Sequence, residues 1–145
     1  MVTVKDILAG KSSQVWSIDP DATVLDAAQV MNDRKIGSLV VLAGPQLVGI
    51  ISERDILTRV VVPRLDPGTA RVREVMTTEV VCCRSHTSLE EARGVLKNRR
   101  IRHLPVLDDD QRLCGLISIG DLNAYEAHDH EFTIHVLEEY IHGRV

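Results

Sequence analysis

The sequence predicts an α/β (α+β) fold of two β-α-β-β-α repeats, packed together through their sheets and followed by a C-terminal helix. A segment that begins at Gly49 and reads Gly-Ile-Ile-Ser-Glu-Arg-Asp returns at Gly115 as Gly-Leu-Ile-Ser-Ile-Gly-Asp. The residues before each copy also align, 15–57 with 80–122, which indicates an internal structural repeat. A repeat of about 50 residues would not bury enough apolar surface alone, so we expect one shared core.

Each repeat begins with a short apolar strand, Val15–Ile18 in the first and Val80–Cys83 in the second. A hydroxyl residue followed three positions later by an acidic residue then predicts a capped helix start. The two pairs of this kind are Thr23 with Asp26 and Thr87 with Glu90. The helices that follow carry apolar residues at helical spacing on one face. These residues are Leu25, Ala28 and Met31 in the first repeat and Leu89, Ala92 and Leu96 in the second.

Two further strands complete each sheet, and turn-forming residues join them. The strand pairs are Ser38–Leu42 with Leu47–Ile51 and Leu104–Leu107 with Leu113–Ile117. The Ser-x-x-Asp segment then opens the second helix of each repeat. Lead-in turns of similar sequence, 4–8 and 72–76, precede the two repeats.

The repeats divide the chain into four parts. The first repeat spans residues 4–62, a linker with two prolines and a glycine spans 63–71, and the second repeat spans 72–124. In the remaining tail, 125–145, apolar residues at helical spacing predict an amphipathic helix. They are Phe132, Val136, Leu137, Tyr140 and Ile141. This helix would pack on the body of the protein or on a second chain.

Composition excludes several functions. The net charge is −4 and aromatic residues make up 3 %, so neither nucleic acid nor an anionic membrane is an expected partner. No apolar run approaches the ~20 residues that span a bilayer, and no signal-peptide core is present. Cys82 and Cys83 are adjacent, which fits neither a metal site nor a disulfide framework, so a reducing cytoplasm is expected. His128 and His130 would face different sides of a helix, so no metal site is predicted.

Ser52 with Asp55, and Ser118 with Asp121, have two compatible interpretations. As helix starts, the serine accepts an amide from the first turn and the aspartate accepts the serine amide. As a ligand site, the same geometry offers free amides and a positive helix end to an anion. The aspartate would then accept ribose hydroxyls, and Arg54 would meet phosphate or remain a solvated surface charge.

Together with Arg100–Val106 (Arg-Ile-Arg-His-Leu-Pro-Val), these segments resemble the paired cystathionine β-synthase (CBS) domain proteins, or Bateman module. The resemblance covers about residues 4–122, and the tail looks like that of small stand-alone bacterial members. It implies a pseudo-two-fold module that binds adenosine nucleotides (AMP, ADP, ATP, sometimes NAD or S-adenosylmethionine) in clefts between its repeats. We expect no catalysis and no catalytic cofactor, because no serine has a histidine at a predictable distance.

The resemblance also implies which residues meet the nucleotide. The ribose contacts would be Asp55 and Asp121, with Ser52 and Ser118 near ribose or phosphate. The segment before the first helix of each repeat would contact adenine, through Ile18, Asp21, Thr23, Ser85 and Thr87. The start of the second strand would add Ile36 and Gly37, and basic residues around it would reach phosphates, namely Arg34, Lys35, Arg99, Arg100, Arg102 and His103. For each basic residue, a polar helix end is an equally good interpretation.

The charges of the two repeats are not duplicated. Arg54 lies within the first Ser-x-x-Asp segment where the second has Gly120, and Arg102 stands where the first repeat has Gly37. We therefore expect two unequal sites, of which the one with Arg54 and Asp55 prefers a phosphorylated ligand.

The leading functional hypothesis is a non-catalytic sensor of AMP, ADP or ATP that signals to an unidentified target protein through ligand-dependent packing. The alternatives are an NAD(H)-binding sensor and a protein-interaction module without a ligand. A homodimer through the CBS modules is expected, because the tail stripe needs a partner surface and because CBS pairs commonly associate into two-fold discs. The sequence leaves the dimer orientation open.

Overall fold

The structure, a computed structural model, describes residues 1–10 and 15–127. The predicted tail helix and the tail histidines lie outside the described residues. The helices are α1 (Val4–Ala9), α2 (Val24–Arg34), α3 (Glu53–Ile56), α4 (Val72–Val75), α5 (Leu89–Asn98) and α6 (described over 119–127). The strands are β1 (Ser17–Ile18), β2 (Ser38–Ala43), β3 (Gln46–Ser52), β4 (Cys83–Arg84), β5 (His103–Leu107) and β6 (Leu113–Ser118).

Each repeat forms its own three-stranded sheet, so the predicted β-α-β-β-α order is confirmed. β1 runs parallel to β2, which pairs antiparallel with β3, and β4, β5 and β6 repeat this arrangement. Ser38 lies opposite Ser52 in the first sheet, and His103 lies opposite Ser118 in the second. Ser38 and His103 are therefore equivalent positions, and the pseudo-symmetry extends to the register of the strands.

Helix α2 begins as predicted but buries a different face. The Thr23 hydroxyl accepts the Asp26 N–H at 3.1 Å, and the Asp26 carboxylate accepts the Thr23 N–H at 3.2 Å. Of the predicted face, Met31 is buried and Ala28 half-buried, but Leu25 is wrong, because it is 45 % exposed. The buried residues of α2 are Val24, Ala27 and Met31. Two apolar stripes one residue apart both have helical spacing, so periodicity alone did not distinguish them.

Helix α5 begins one residue later than predicted. Its N-cap is Ser88, whose hydroxyl accepts the Glu91 N–H at 3.1 Å. The predicted box of Thr87 with Glu90 is therefore wrong. Thr87 instead accepts the Arg84 N–H at 3.0 Å, which stabilises the turn between β4 and the helix. Two consecutive hydroxyl residues, each followed at the third position by glutamate, made the sequence signal ambiguous.

The lead-in segments are helices, and they are exchanged between the repeats. α1 precedes the first repeat in the chain but packs Val4 and Ile7 into the core of the second sheet. The Val4 N–H donates to the Thr87 carbonyl at 2.8 Å, and the Lys5 N–H donates to the Ser85 carbonyl at 2.9 Å. Helix α1 is thus held by backbone hydrogen bonds as well as by apolar burial.

Helix α4 makes the reciprocal contact with the first repeat. Val72 and Val75 are buried in the core that also contains Val24 of α2. The Val72 N–H donates to the Ala22 carbonyl, and the Val24 N–H donates to the Ala70 carbonyl, each at 2.9 Å. Each sheet is therefore completed by the lead-in helix of the other repeat. The expected single shared core is therefore wrong: the buried apolar residues form two cores, one for each sheet, and each core includes a helix from the other repeat.

The described residues include no helix that is both long and apolar enough to cross a lipid bilayer.

Candidate functional site

The first Ser-x-x-Asp segment forms a complete capping box at the start of α3. Ser52 Oγ accepts the Asp55 N–H at 3.2 Å, while Asp55 Oδ2 accepts the Ser52 N–H at 3.0 Å and the Ser52 hydroxyl at 3.1 Å. After one turn, α3 continues as a π-helical turn over Leu57–Val61. The helix-start interpretation is therefore confirmed for this copy.

The other carboxylate oxygen of Asp55 faces Thr77, which follows α4, and Arg59. Thr77 Oγ1 donates to Asp55 Oδ1 at 3.1 Å, and Arg59 Nη1 lies 4.0 Å from the same oxygen. Arg59 Nη1 also donates to the carbonyls of Val75 and Met76, each at 3.0 Å. Asp55 is only 8 % exposed, so its charge is compensated by donors on both oxygens.

The second copy has the same reciprocal geometry. The Ser118 N–H donates to Asp121 Oδ2 at 2.8 Å, and the Asp121 N–H donates to Ser118 Oγ at 3.1 Å. Both aspartates are therefore fixed at the start of a helix, on the strand end that borders a cavity.

The larger cavity, here called cleft 1, has a volume of about 580 Å³ and contains Asp55. Both repeats contribute to it. From the first repeat come the end of β3 and the start of α3, including Ser52 and Arg54, and from the second come Val80, Val81 and the segment 100–103. The acidic end of one repeat thus meets the basic segment of the other.

Among the residues that the structure describes, three arginines line cleft 1: Arg54, Arg100 and Arg102. All three are exposed, and none of their guanidinium groups forms a hydrogen bond or ion pair with another described residue. Glu53 and Glu79 also line the cleft, so the positive charge is confined to the surroundings of the three arginines. Guanidinium groups of this kind suit bidentate recognition of phosphate.

The smaller cavity, cleft 2, has a volume of about 330 Å³ and contains Ser118 and Asp121. Its described lining includes no lysine or arginine, and it is formed largely by apolar residues such as Leu8 of α1 and Trp16. The Arg34 guanidinium lies 4.0 Å from the centroid of the Trp16 ring, a cation–π contact. The two clefts therefore differ in size and in charge.

Gly37 and His103 line both clefts. The Gly37 carbonyl accepts the Glu53 N–H at 3.0 Å, and at the equivalent place the Arg102 carbonyl accepts the Ile119 N–H at 3.2 Å. The starts of β2 and β5 thus form the wall that separates the two cavities.

The structure brings together about half of the residues that the sequence nominated. Cleft 1 contains Ser52, Arg54, Asp55, Arg100 and Arg102; cleft 2 contains Ile36, Ser118 and Asp121; and Gly37 and His103 border both. Neither lining includes Ile18, Asp21, Thr23, Ser85, Thr87, Arg34, Lys35 or Arg99.

Several of these outlying residues have structural partners. Asp21 forms an ion pair with Arg73, and Thr23 caps α2. Lys35 ends α2 in the left-handed conformation, with φ of 57°, and lines a separate hollow of about 440 Å³. Their predicted contacts with adenine or phosphate stay predictions.

The lining residues that the sequence reasoning missed include Trp16, Thr77 and Glu79. These three lie on segments that precede the first helix of a repeat. The resemblance implied that these segments contact the ligand, but the residues it selected lie further along the chain. The cleft that such a segment borders depends on which sheet the preceding lead-in helix, α1 or α4, packs against.

The cysteine thiols are protonated near neutral pH. Burial raises the pKa of Cys83 to about 12, and burial together with Asp108 raises the pKa of Cys114, which lines cleft 2. Burial also raises the pKa of Cys82, against a smaller opposite effect of Arg84. Within residues 1–10 and 15–127, no group of three or more His, Cys, Asp or Glu side chains is placed to hold a metal ion.

Comparison with known proteins identifies the repeats. The family model of the CBS domain matches residues 4–62 and again residues 72–128. The chain is 34 % identical to the CBS domain-containing protein YhcV of Bacillus subtilis, over 84 % of both chains. It is 33 % identical to the mitochondrial CBS domain-containing protein CBSX3 of Arabidopsis thaliana, over 97 % of this chain and 72 % of that protein.

Solved structures show the same fold. One is a protein with CBS domains from Burkholderia ambifaria that is named as a putative signal-transduction protein. It superposes on this chain with a TM-score of 0.85 and is 36 % identical in sequence. The superposition covers 88 % of this chain and 96 % of the other. A cyanobacterial CBS-CP12 protein described as hexameric has a TM-score of 0.72 at 30 % identity, over 83 % of this chain and 66 % of that one.

Proposed function

This chain belongs to the CBS-domain family, and we propose that it is a non-catalytic sensor of adenosine nucleotides of the AMP, ADP and ATP class. The ligand would occupy cleft 1 in preference to cleft 2 and would change how the two repeats, or two chains, pack together. A separate target protein would respond to that change.

One observation carries the proposal: the same cavity is lined by a buried acceptor and by three guanidinium groups that pair with no other residue the structure describes. Asp55 supplies the acceptor for ribose hydroxyls, and Arg54, Arg100 and Arg102 are available to a phosphate chain. The volume of about 580 Å³ lies within the ~300–1,000 Å³ of typical ligand sites. Since the arginines come from both repeats, a phosphorylated ligand would bridge them. Such a ligand favours the arrangement of the repeats in which it makes both sets of contacts.

The similar proteins support a function without catalysis. YhcV and CBSX3 match along most of their length and are named only as CBS domain-containing proteins. A match to an inosine-5′-monophosphate dehydrogenase of Methanocaldococcus jannaschii covers only 22 % of that enzyme. A regulatory role without catalysis is therefore the function that we infer.

Ligand binding is tested by thermal unfolding with AMP, ADP, ATP, NAD and NADH. A ligand present at about 100 times its dissociation constant adds ~2.7 kcal/mol to the free energy of unfolding. We expect AMP, ADP or ATP to stabilise the protein. Stabilisation by NAD or NADH alone would favour the redox-sensor alternative, and no stabilisation by any of the five would favour a protein-interaction module. Mass spectrometry of small molecules that co-purify with the native protein provides an independent identification.

The preference for cleft 1 is tested with two matched variants. Asp55→Asn should abolish most of the calorimetric binding of ATP, whereas Asp121→Asn should retain it. The protein has a single tryptophan, Trp16, and it lines cleft 2. Its fluorescence therefore reports on cleft 2 separately. Equal losses of ATP binding in the two variants would contradict the preference of ATP for cleft 1.

We further infer a homodimer that buries an apolar surface next to cleft 1. Four large apolar residues between positions 57 and 65 are exposed, among them Val62 at 71 %. They are Leu57, Val61, Val62 and Leu65. Leu57 also lines cleft 1, so association and ligand binding would influence each other. The related hexameric protein supports self-association within the family. Val62→Asp should lower the molar mass measured by light scattering, and Leu25→Asp, at an exposed position elsewhere, should not.

A further inference from the structure

The hollow that Lys35 lines, here called the α2–α3 hollow, has a volume of about 440 Å³ and lies between helices α2 and α3. Part of its lining is apolar, with Met31 buried and Ala28 and Ile56 half-buried. Lys35 and Glu53 also line it and are exposed, so the hollow reaches the protein surface. Glu53 lines cleft 1 as well, and the two cavities are therefore neighbours.

The second repeat has an arginine where the first has Ala28. Arg93 is the equivalent residue, because each lies five positions after the N-cap of its helix. Arg93 Nη1 donates to Asn123 Oδ1 at 3.1 Å, and Arg93 Nη2 lies 2.9 Å from Glu126 Oε1. Helices α5 and α6 are thus joined by charged and polar side chains.

The first repeat has apolar residues at the corresponding places of α3. Alignment of the two Ser-x-x-Asp segments makes Leu57 equivalent to Asn123 and Val60 equivalent to Glu126. Val60 is buried, but Leu57, which follows Ile56 of the hollow, is 57 % exposed. The first repeat therefore presents an exposed apolar residue beside an apolar hollow, and the second repeat presents polar groups there.

The charges at the hollow are complementary to each other. Lys35 ends α2 and Glu53 begins α3. Neither side chain forms a hydrogen bond or ion pair with another residue that the structure describes. In an isologous two-fold contact, Lys35 of each copy would face Glu53 of the other, so a single surface provides two ion pairs.

We propose that two copies of this chain associate head to head, with the α2–α3 hollow and Leu57 of the first repeat placed against the same surface of the second copy. The inference rests on the homodimer proposed above and is independent of which nucleotide binds. It also places cleft 1 of each copy beside the interface, because Glu53 and Leu57 line that cleft.

A head-to-tail dimer would satisfy this surface less well. Leu57 would face the polar group of Arg93, Asn123 and Glu126, which would lose contact with water without gaining a hydrogen-bond partner. Ile119 is the residue equivalent to Glu53, so Lys35 would have no acidic partner. The two orientations therefore predict different effects of a charge change at Lys35.

The first experiment exchanges the charges and measures dimerisation of the full chain by analytical ultracentrifugation. Lys35→Glu and Glu53→Lys should each weaken the homodimer at least ~10-fold, because each places like charges opposite one another at two points. An equimolar mixture should form heterodimers within about three-fold of the unmodified affinity, since every pair is again complementary. Lys5→Glu, at an exposed position on α1, is the matched control and should have no effect. Unchanged dimerisation of Lys35→Glu, or no heterodimer in the mixture, overturns the inference.

The second experiment uses a short bismaleimide cross-linker in a Cys114→Ser background, which serves alone as the blank. Leu57→Cys should give a covalent dimer by itself, because the two copies of position 57 lie on either side of the two-fold axis. Cross-linking only in a mixture of Leu57→Cys with Asn123→Cys would show a head-to-tail dimer and overturn the inference.

Failure of this inference is distinguishable from failure of the proposals on which it rests. A monomeric mass for the unmodified protein refutes the homodimer and this inference together. A dimeric mass without rescue in the charge mixture refutes only the orientation. Nucleotide binding, measured by thermal unfolding, stands or fails separately.

Discussion

Gly49 and Met76 are in such close contact that a side chain at position 49 has no room. A Cβ atom built on Gly49 would lie 2.6 Å from Met76 Sδ and 2.9 Å from the Thr77 carbonyl oxygen. At the equivalent place in the second repeat, a Cβ on Gly115 would lie 2.6 Å from Leu8 Cδ2. The glycine that begins each Gly-x-x-Ser-x-x-Asp segment therefore admits the lead-in helix of the other repeat. It has a packing function that is distinct from the ligand function of the aspartate.

Replacement of Gly49 by alanine should destabilise the protein. Met76 can adjust, but the Thr77 carbonyl is fixed by its backbone pair with Ile50, so we expect Gly49→Ala to cost about 1–3 kcal/mol of unfolding free energy. Gly94→Ala is the matched control. It lies within α5 with nothing within 4 Å of its Cβ, and should stabilise by about 0.5–1 kcal/mol. Urea unfolding measures both, and an equal effect of the two changes would refute the packing role.

Arg54→Gln should weaken phosphorylated ligands selectively. A contact between an exposed guanidinium and phosphate is partly screened by solvent, so we expect ATP to bind about five-fold more weakly while adenosine is unaffected. Arg99→Gln is the control, because Arg99 is exposed and lines neither cleft. Calorimetry of both variants, each with ATP and with adenosine, provides the four affinities. A loss of ATP affinity in Arg99→Gln would instead support the phosphate contact that the family resemblance implies for Arg99.

Alkylation of Cys114 should report occupancy of cleft 2. Its thiol is exposed, but burial of part of the side chain and the charge of Asp108 raise its pKa. The reactive thiolate is therefore scarce at neutral pH, and the rate with iodoacetamide should rise as the pH is raised. Cys83, with a pKa of about 12 and a buried side chain, should remain unmodified. Peptide mapping by mass spectrometry distinguishes the two cysteines.

The same reaction tests the ligand. A nucleotide that fills cleft 2 covers Cys114 and should slow its alkylation, and Asp121→Ala should remove this protection. If saturating AMP or ATP leaves the alkylation rate of Cys114 unchanged, then cleft 2 does not take that nucleotide.

Asp21→Asn should affect stability slightly and binding not at all. Asp21 is 71 % exposed and pairs with Arg73 at the surface, so its loss should cost no more than about 1 kcal/mol. Since Asp21 lines neither cleft, the ATP affinity should stay within about two-fold of the unmodified protein, whereas Asp55→Asn should lose it. A large loss of ATP affinity in Asp21→Asn would support the adenine contact that the family resemblance implies.

Much of the fold was predictable because its signals are local. The strands from Ser38 to Ser52 and from His103 to Ser118 lie where alternation and turn residues placed them, and the Ser-x-x-Asp caps have the predicted hydrogen bonds. The errors were also local and small. Helix α5 begins one residue later than predicted, and α2 buries Val24 where the prediction had Leu25. In both places, adjacent residues fitted the capping or apolar pattern equally well.

The sequence by itself determined the two repeats, their β-α-β-β-α order, the helix starts at Ser52 and Ser118, and the inequality of charge between the halves. Each of these depends on residues that are close together in the chain. The tertiary structure alone decided that α1 and α4 are exchanged and that Asp55 shares a cavity with Arg100 and Arg102 of the other repeat. Two similar lead-in helices fit two similar sheets, so no local pattern specifies which helix packs on which sheet. In the folded chain, α1 packs against the second sheet and α4 against the first, and the segment with Arg100 and Arg102 lies beside Asp55 in cleft 1.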